Sequence, residues 1–191
     1  MYNSQFTSSV PKLSVIRSFK RREALPLGKN ALWQIQRGAV RAFTFAEDGT
    51  LIALGFWGSG DIVGLPLAQI QPYEVECLTD VNARALPLSE IENLTQVMLA
   101  HLHQTQELLR IRHGQIYDRL QQFLGWLADK FGCECDRGQL IQLRLTHQDI
   151  AEVLGTTRVT VTRLMSQLEQ EGTIGWSEPH WILWHPGVER L

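Results

Sequence analysis

The chain has 191 residues, of which 44% are hydrophobic and 20% are charged, and its formal net charge is −2 at pH 7. This composition is typical of a folded globular protein and excludes wholesale disorder. No apolar run approaches the ~20 residues that span a bilayer, and Met1 is not followed by the charged and apolar segments of a secretory signal. We therefore expect a cytoplasmic protein with no membrane partner.

The chain contains three cysteines, Cys77, Cys133 and Cys135. Their small, odd number argues against a disulfide framework. Cys133 and Cys135 belong to the segment FGCECDRG, which we predict to be a loop. A Cys-x-Cys pair is able to bind metal or respond to oxidants, but no histidine or third cysteine stands at the spacing of a zinc finger. We therefore predict ordinary thiols, with no metal site and no cofactor, and their redox role stays open.

Short apolar segments alternate with turn residues throughout residues 1–88. The segments are 31–35, Val40–Phe45 and 51–56, and the glycines between and around them are Gly28, Gly38, Gly49 and Gly60. Turn signals every 10 or 11 residues predict a small antiparallel sandwich or barrel. Asp48-Gly49 is the clearest hairpin turn.

Residues 89–115 carry the pattern of one long helix. Ser89 and Glu92 have the spacing of a capping box, which predicts that the helix begins at Ser89. Residues at three- and four-residue intervals form a narrow seam of the kind that joins two helices. We predict a homodimer interface there, and packing against the chain's own β-domain is the alternative. The seam consists of Leu94, Met98, Leu102, Thr105 and Leu109.

Residues 116–191 alternate helical and strand patterns. An amphipathic helix is predicted over Ile116–Phe131, a half-buried strand over 140–145, and a two-stranded wing that turns at 177–180. Ser177 and His180 are weak candidates for contacts with a phosphate backbone. Large aromatic side chains usually anchor a small domain, so we expect three tryptophans to be core residues: Trp176, Trp181 and Trp184.

Two short helices joined by a sharp turn are predicted between Leu145 and Ile174. Thr146 and Asp149 have capping-box spacing at the start of the first helix, and Gly155 breaks it. Thr156 or Thr157 caps the second helix, whose apolar residues follow the i, i+3, i+4, i+7 rule until Gly172. That apolar stripe consists of Val161, Leu164, Met165 and Leu168.

The opposite face of the second helix is polar and has no acidic residue. A glycine-containing turn before such a helix is typical of the helix-turn-helix, whose second helix enters the major groove of DNA. Arg163 is placed for a guanine edge, while Val159 and the Thr162 methyl group suit thymine methyls. An αα-hairpin with a solvated outer face is the alternative. The candidate DNA-binding residues are Thr157, Arg158, Val159, Thr162, Arg163 and Ser166.

At residues 145–174 the chain resembles the Crp/Fnr family, the cAMP-receptor-protein-like transcription regulators. The segment GTTRVTVTRLMSQLEQEGTI is especially similar to the nitrogen-control branch. Arg158 and Arg163 match the two arginines that contact DNA in the family's recognition helix. Val159 departs from the glutamate that cAMP receptor protein has at this position, so the resemblance does not carry over that protein's operator.

The segment IQRGAVRAFTFAEDGTLIALGFWGSGDIVG resembles the family's cyclic-nucleotide-binding-type β-roll. The resemblance implies an α+β fold in three parts. These are a β-roll sensor or scaffold domain (1–88), a dimerisation helix (89–115) and a C-terminal winged helix-turn-helix that binds DNA (116–191).

The segment after the Gly-Asp turn departs from the pattern of the family's cyclic nucleotide binders. Those proteins place a glutamate and an arginine there, whereas this chain has Leu65 in the place of the glutamate and no arginine between Arg41 and Arg84. A buried phosphate without a cationic partner would be costly. We therefore predict no cyclic nucleotide, and since no cysteine precedes Cys77, no iron–sulfur cluster of the family's oxygen-sensor type.

The pattern as a whole predicts a homodimeric, sequence-specific transcription regulator that binds a near-palindromic DNA operator. No phosphate loop, nucleophile elbow or complete metal site indicates an enzyme. The resemblance leaves RNA polymerase and an unknown small effector as candidate partners. It does not indicate whether the protein activates or represses transcription.

Charge favours a second interpretation, because residues 116–191 contain seven basic and ten acidic side chains. DNA affinity must then come from local placement of Arg144, Arg158 and Arg163. One alternative is a ligand-sensing or protein-docking module whose winged helix contacts a protein. A further alternative is a cyclic-nucleotide-dependent activator.

Overall fold

A computed structural model describes residues 15–177 and 181–185. They fall into two units, the first formed by the chain up to residue 44 together with 56–100, and the second by 45–55 and 101–191. Within the described part of the chain, no helix is both long and apolar enough to cross a bilayer. The predicted division at residues 88 and 115 stays a prediction, and the unit boundaries differ from it because the hairpin segment 45–55 groups with the C-terminal part.

The N-terminal half is built from antiparallel strands in two sheets, with strand orders β1-β7-β2-β5 and β4-β3-β6. The three apolar segments predicted from the sequence are β2, β3 and β4, so the β-rich prediction is confirmed. The strands are β1 Ile16–Phe19, β2 Ala31–Arg37, β3 Val40–Phe45, β4 Leu51–Trp57, β5 Ile62–Val63, β6 Glu74–Cys77 and β7 Val81–Pro87.

One glycine turn connects β2 to β3, which lie in different sheets, and another joins β3 and β4 as a hairpin. Gly38 has a φ of +92°, and a Cβ there would lie 2.3 Å from the Asp80 carbonyl oxygen, so only glycine fits. Gly49 has a φ of +82°, and the Asp48 carboxylate accepts a hydrogen bond from the Thr50 amide at 2.9 Å. The Asp48-Gly49 turn is therefore confirmed.

The core of this half includes one charged pair among apolar side chains. Leu32, Ile35 and Phe56 are completely buried. Arg41 on β3 is also buried, and its Nε donates to Oε2 of Glu76, the residue directly opposite on β6, at 2.8 Å. A buried cation needs such a partner, because an uncompensated charge in the interior is costly.

The long helix begins later than the sequence predicts. Residues Leu88–Glu90 form a single 3₁₀ turn, and α1 spans Leu94–Ile111. The predicted capping box of Ser89 and Glu92 is therefore wrong. The Asn93 side-chain oxygen instead accepts from the Gln96 amide at 3.1 Å, which is the capping contact of α1.

The C-terminal half combines three helices with a four-stranded sheet of order β10-β11-β9-β8. The predicted helix α2 is confirmed at both ends, and it places five side chains in the core. The elements are α2 Ile116–Phe131, β8 Gly132–Cys135, β9 Gly138–Ile141, α3 His147–Leu154, α4 Arg158–Gln170, β10 Ile174–Ser177 and β11 Trp181–Trp184.

Two predictions for the segment after α2 are wrong. Cys133 and Cys135 lie in strand β8, not in a loop, because β8 pairs with β9 over four residues. The strand predicted over 140–145 is β9, which ends at Ile141. Only the stretch that pairs with β8 and β11 is a strand. Hydrogen bonding to a neighbouring strand defines a strand, whereas alternation of apolar and polar residues does not suffice.

The wing has its two predicted strands, β10 and β11, paired from Ile174 with Trp184 to Ser177 with Trp181. Ser177 ends β10, and His180 lies outside the described residues. The tryptophan prediction is wrong for Trp176, which is 44% exposed. Trp181 and Trp184 are half-buried rather than fully in the core. The Trp184 ring lies beside Gly125 of α2, and a Cβ atom at residue 125 would be in contact with this ring.

Candidate nucleic-acid interface

The first helix of the predicted motif, α3, begins with a complete capping box. The Asp149 amide donates to Thr146 Oγ1 at 3.1 Å, and the Thr146 amide donates to Asp149 Oδ2 at 2.7 Å. These contacts satisfy backbone donors that the first turn of a helix leaves without partners. The apolar face of α3 is buried and consists of Ile150, Ala151, Val153 and Leu154.

Gly155 makes the turn between the two helices. Its φ of +61° and ψ of +49° lie in the left-handed region, which glycine adopts without steric cost. The Gly155 amide donates to the Ala151 carbonyl, and so does the Thr156 amide, at 3.0 Å. The chain therefore leaves α3 and enters α4 within three residues, as the glycine-containing turn predicts.

A second backbone contact holds the end of α3. Arg112, which follows α1, donates from Nε to the Val153 carbonyl oxygen at 3.2 Å. Burial, and then the nearby charge of Arg119, lower the pKa of the Arg112 guanidinium. The C-terminal end of α3 carries orphan carbonyls and a partial negative charge, which is where a cation is stabilising.

The second helix, α4, buries one face completely. Thr157 is its N-cap and accepts from the Thr160 amide at 3.2 Å. All four residues of the predicted apolar stripe are at most 3% exposed: Val161, Leu164, Met165 and Leu168. Because α4 packs through this stripe, its rotation about its own axis is set, and the opposite side must face outward.

All six predicted DNA-binding residues lie on that outward side and are exposed. Val159 is 78% exposed, which is unusual for a branched apolar side chain without a partner. The first turn of α4 contains no acidic residue. Arg158 and Arg163 therefore add positive charge to the N-terminal half of a helix whose dipole already favours anions.

The polar side chains of this face are anchored to the helix backbone. Thr162 Oγ1 donates to the Arg158 carbonyl at 2.9 Å, and Ser166 Oγ donates to the Thr162 carbonyl at 3.2 Å. Such i−4 bonds limit the rotamers of both side chains. The two hydroxyls are thus held in defined positions along the exposed face.

One residue that the sequence analysis did not single out touches this face. His147, the first residue of α3, places Nδ1 2.8 Å from Thr162 Oγ1. Since the Thr162 hydroxyl already donates its only proton to Arg158, it accepts from His147 Nδ1–H. Burial, and then the charge of Arg158, lower the pKa of His147. Its position next to the Thr146 cap was the only signal in the sequence.

The seam predicted on α1 is largely exposed in the single chain. Met98 is 58%, Leu102 51% and Leu109 56% exposed. Leu94 is half-buried, and Thr105 is exposed with its hydroxyl bonded to the His101 carbonyl at 2.9 Å. An exposed apolar face with helical spacing is typical of a surface that binds a partner, and the dimer seam stays a prediction.

The segment after the Gly-Asp turn contains no arginine, and the two arginines that flank it in the sequence are Arg41 and Arg84. Leu65 begins a short 3₁₀ helix, Leu65–Leu67, which follows strand β5 and Gly64 after the Gly-Asp turn. Arg41 is paired with Glu76. Throughout 15–177 and 181–185, no three histidine, cysteine or acidic side chains are grouped so that they could hold a metal ion.

Comparisons with known proteins agree with this geometry. Residues 118–185 match the family model of the Crp-like helix-turn-helix domain. The chain is 43% identical to the regulatory protein CysR of Synechococcus elongatus over 158 residues, which cover 81% of this chain and 76% of that protein. It is 35% identical to the global nitrogen regulator of a Nostoc species over 181 residues, which cover 84% and 81%.

The fold is shared with solved structures as well. The structure of FixK2 from Bradyrhizobium japonicum superimposes with a TM-score of 0.76, covering 91% of this chain and 93% of that one at 21% identity. At this identity the likeness shows the fold alone. The match extends over both the β-rich half and the helix-turn-helix half of the chain.

Proposed function

Because this chain belongs to the Crp/Fnr family of DNA-binding transcription regulators, near its nitrogen-control branch, we propose that it binds a near-palindromic operator as a homodimer without cyclic nucleotide. The single observation that carries the proposal is the contrast between the two faces of α4. One face is completely buried, and the other exposes two arginines and no acid in its first turn.

We propose that α4 reads bases in the major groove. The fork of Arg163 matches the two acceptors of a guanine edge, and this is the commonest specific contact of arginine. Val159 and the Thr162 methyl group supply apolar contacts for thymine methyls. Thr157 and Arg158, at the positive end of the helix, are proposed to contact the backbone and bases nearby, and Ser166 extends the surface by one turn.

The exposed seam of α1 supports the homodimer. Covering Met98, Leu102 and Leu109 with the same residues of a second chain removes apolar surface from water on both copies. A two-fold symmetric dimer presents two copies of α4 to half-sites about 34 Å apart, which is one turn of DNA. The operator is therefore expected to be a near-palindrome.

The pairing of Arg41 supports independence from cyclic nucleotide. Its guanidinium is buried and bonded to Glu76 at 2.8 Å, so using it for a phosphate would break a buried ion pair and leave Glu76 with Arg22 as its cationic partner. If a different small effector acts, it must bind two conformations of the regulator with different affinities. RNA polymerase is a proposed partner on family grounds alone.

The test is selection of bound sequences from a random duplex library, without added ligand, for the wild type and for Arg163→Ala. Arg137→Ala, an exposed arginine between β8 and β9, is the matched control. We expect a near-palindromic site from the wild type and the control. Arg163→Ala should lose the preference for one particular base pair in each half-site. The expected loss is about 1–3 kcal/mol of discrimination between bases at that position.

The acidic excess of the C-terminal part favours a second candidate, a winged helix that docks onto a protein. The same selection separates the two functions. If no site is enriched at low salt with or without added ligands, base reading by α4 is refuted. If Arg163→Ala keeps the wild-type preference at every base pair, base reading by Arg163 is refuted. A site that appears only after cAMP or cGMP is added would instead support the nucleotide-dependent activator.

A further inference from the structure

Strand β8 carries two free thiols, Cys133 and Cys135, and both residues are exposed. In the sheet order β10-β11-β9-β8 it is an edge strand, and among the strands of the described residues it pairs with β9 alone. The proposed DNA contacts of α4 do not use these cysteines. Their arrangement in a strand, which the sequence did not predict, changes what the pair is able to bind.

Both thiols lie on the same face of the sheet. Alternate residues of a strand point to the same side and are roughly 6.6 Å apart along it. Cys133 is opposite Leu140 and Cys135 is opposite Gly138 on β9. Each sulfur lies against the carbonyl oxygen of its opposite residue, at 3.7 Å for Cys133 and 3.3 Å for Cys135.

Gly138 keeps the face beside Cys135 free of a neighbouring side chain. A Cβ at this position would lie 2.4 Å from the Trp184 carbonyl oxygen and 3.1 Å from His185 Nδ1. With a φ of +135° as well, the position tolerates only glycine. The thiol of Cys135 is consequently not covered by its cross-strand partner.

This spacing does not suit a disulfide between the two cysteines. A disulfide requires Cβ atoms about 3.5–4.5 Å apart, whereas same-face residues of one strand keep their Cβ atoms roughly 6.6 Å apart. Closing the bond would require β8 to bend away from β9. The paired strand thus opposes oxidation of the two thiols to an intramolecular disulfide.

The spacing does suit a metal ion that two sulfurs coordinate linearly. Two metal–sulfur bonds of about 2.3 Å span roughly 4.6 Å, which thiols on Cβ atoms ~6.6 Å apart reach by leaning toward each other. We propose that Cys133 and Cys135 bind one thiophilic monovalent d¹⁰ cation, Cu(I), in two-coordinate geometry.

Binding exchanges protons for the metal and involves no redox change. Cu(I) forms two copper–sulfur bonds, both S–H bonds break, and two protons go to solvent, leaving a bis-thiolate complex with one negative charge. Soft thiolate ligands select Cu(I). Zinc requires four ligands, and the part of the chain that the structure describes groups no third metal-binding side chain with the two thiols.

The test uses the reduced full-length protein under anaerobic conditions and Cu(I) supplied as its coloured bis(bicinchoninate) complex. The wild type should withdraw one equivalent of copper per chain, seen as loss of the visible absorbance. Cys133→Ser and Cys135→Ser should each withdraw none. Both positions are exposed, so circular dichroism should show an unchanged fold for the two variants.

The double variant Cys133→Ser/Cys135→Ser keeps only Cys77 and shows whether that buried thiol contributes. X-ray absorption on the loaded wild type should find two sulfur neighbours, and an equal concentration of Zn(II) should not displace the copper. Withdrawal of copper by either single variant or by the double variant would overturn the proposal. So would no withdrawal by the wild type, or three or more sulfur neighbours.

Discussion

At the scale of single residues, the exposed face of α4 depends on a contact from outside the helix. Thr162 is bonded both to its own helix backbone and to His147 of α3. Base-reading side chains are effective when their rotamers are held before the ligand arrives, since less freedom is lost on binding. His147 is thus a positioning residue for Thr162, and its own chemistry makes this contact sensitive to pH.

The first prediction concerns His147 and the free energy of unfolding. Burial and Arg158 lower the pKa of His147 in the folded protein below its ordinary 6.5. As the pH falls through 6.5, the unfolded chain therefore takes up the proton first, and stability decreases until the folded pKa is passed. His147→Gln keeps a donor for Thr162 and removes the titration, so its stability should fall less between pH 7 and 5.

Urea unfolding of the full chain at several pH values measures this difference. His103→Gln is the control, because His103 is exposed on α1, away from the helix-turn-helix motif. We expect the control to keep the wild-type dependence on pH. Equal slopes for the wild type and His147→Gln would show that burial and Arg158 do not lower the pKa of His147 in the folded protein.

At the scale of elements, each helix exposes the face that its own packing does not use. Helix α4 exposes arginines and short polar residues, which suits a charged groove, whereas α1 exposes Met98, Leu102 and Leu109. Charged and apolar faces favour different partners, because apolar area is stabilised only when it leaves water. We therefore propose DNA as the partner of α4 and a second copy of the chain as the partner of α1.

The second prediction concerns the seam of α1. The double substitution Leu102→Gln/Leu109→Gln places four polar side chains in a symmetric interface. Fully burying a leucine contributes about 1.5–3 kcal/mol, and these two leucines are already about half covered in the single chain. The dimer should therefore be weakened by at least ~3 kcal/mol, a factor of order 10² in the dissociation constant. Sedimentation at micromolar concentration should find a monomer.

Leu99→Gln is the matched control for the seam, because Leu99 is 47% exposed but lies about 100° around the helix from it. This variant should sediment as the wild type does. Circular dichroism should show native helix content for both variants. A dimer that persists in the double variant would remove the seam from the interface and leave packing against the chain's own β-domain as its role.

At the scale of the whole molecule, the charge balance requires cations to be placed locally. The chain has 18 basic and 20 acidic residues, so no general attraction to DNA is expected from net charge. Affinity must come from a few phosphate contacts that occur twice in a symmetric dimer. Arg144, exposed just before α3, is a proposed phosphate contact of this kind.

The third prediction follows from that duplication. Each phosphate contact contributes about −0.9 to the slope of log K against log salt concentration. Arg144→Ala in both subunits should therefore make the slope shallower by ~1.8, while every sequence loses affinity alike. Fluorescence anisotropy on the selected operator between 50 and 200 mM salt measures it. Arg137→Ala should leave the slope unchanged, and a change of only ~0.9 for Arg144→Ala would contradict binding as a symmetric dimer.

The sequence by itself determined the elements whose signals are local. The capping box of Thr146 and Asp149, the left-handed turn at Gly155 and the apolar stripe of α4 all act within a few residues, so spacing alone identified them. The outward position of Val159, Thr162, Arg163 and Ser166 followed from the same periodicity. The glycine spacing and the Asp48-Gly49 turn likewise indicated the β-rich half.

Only the tertiary structure decided the features that depend on residues far apart in the chain. The start of α1 is a local feature that the sequence analysis placed wrongly, because Asn93 rather than Ser89 caps the helix. Pairing with β9 made a strand of the cysteine segment, and packing of α3 on α4 brought His147 to Thr162. Such contacts join residues that have no fixed spacing, so no local pattern predicts them, and folding alone brings them together.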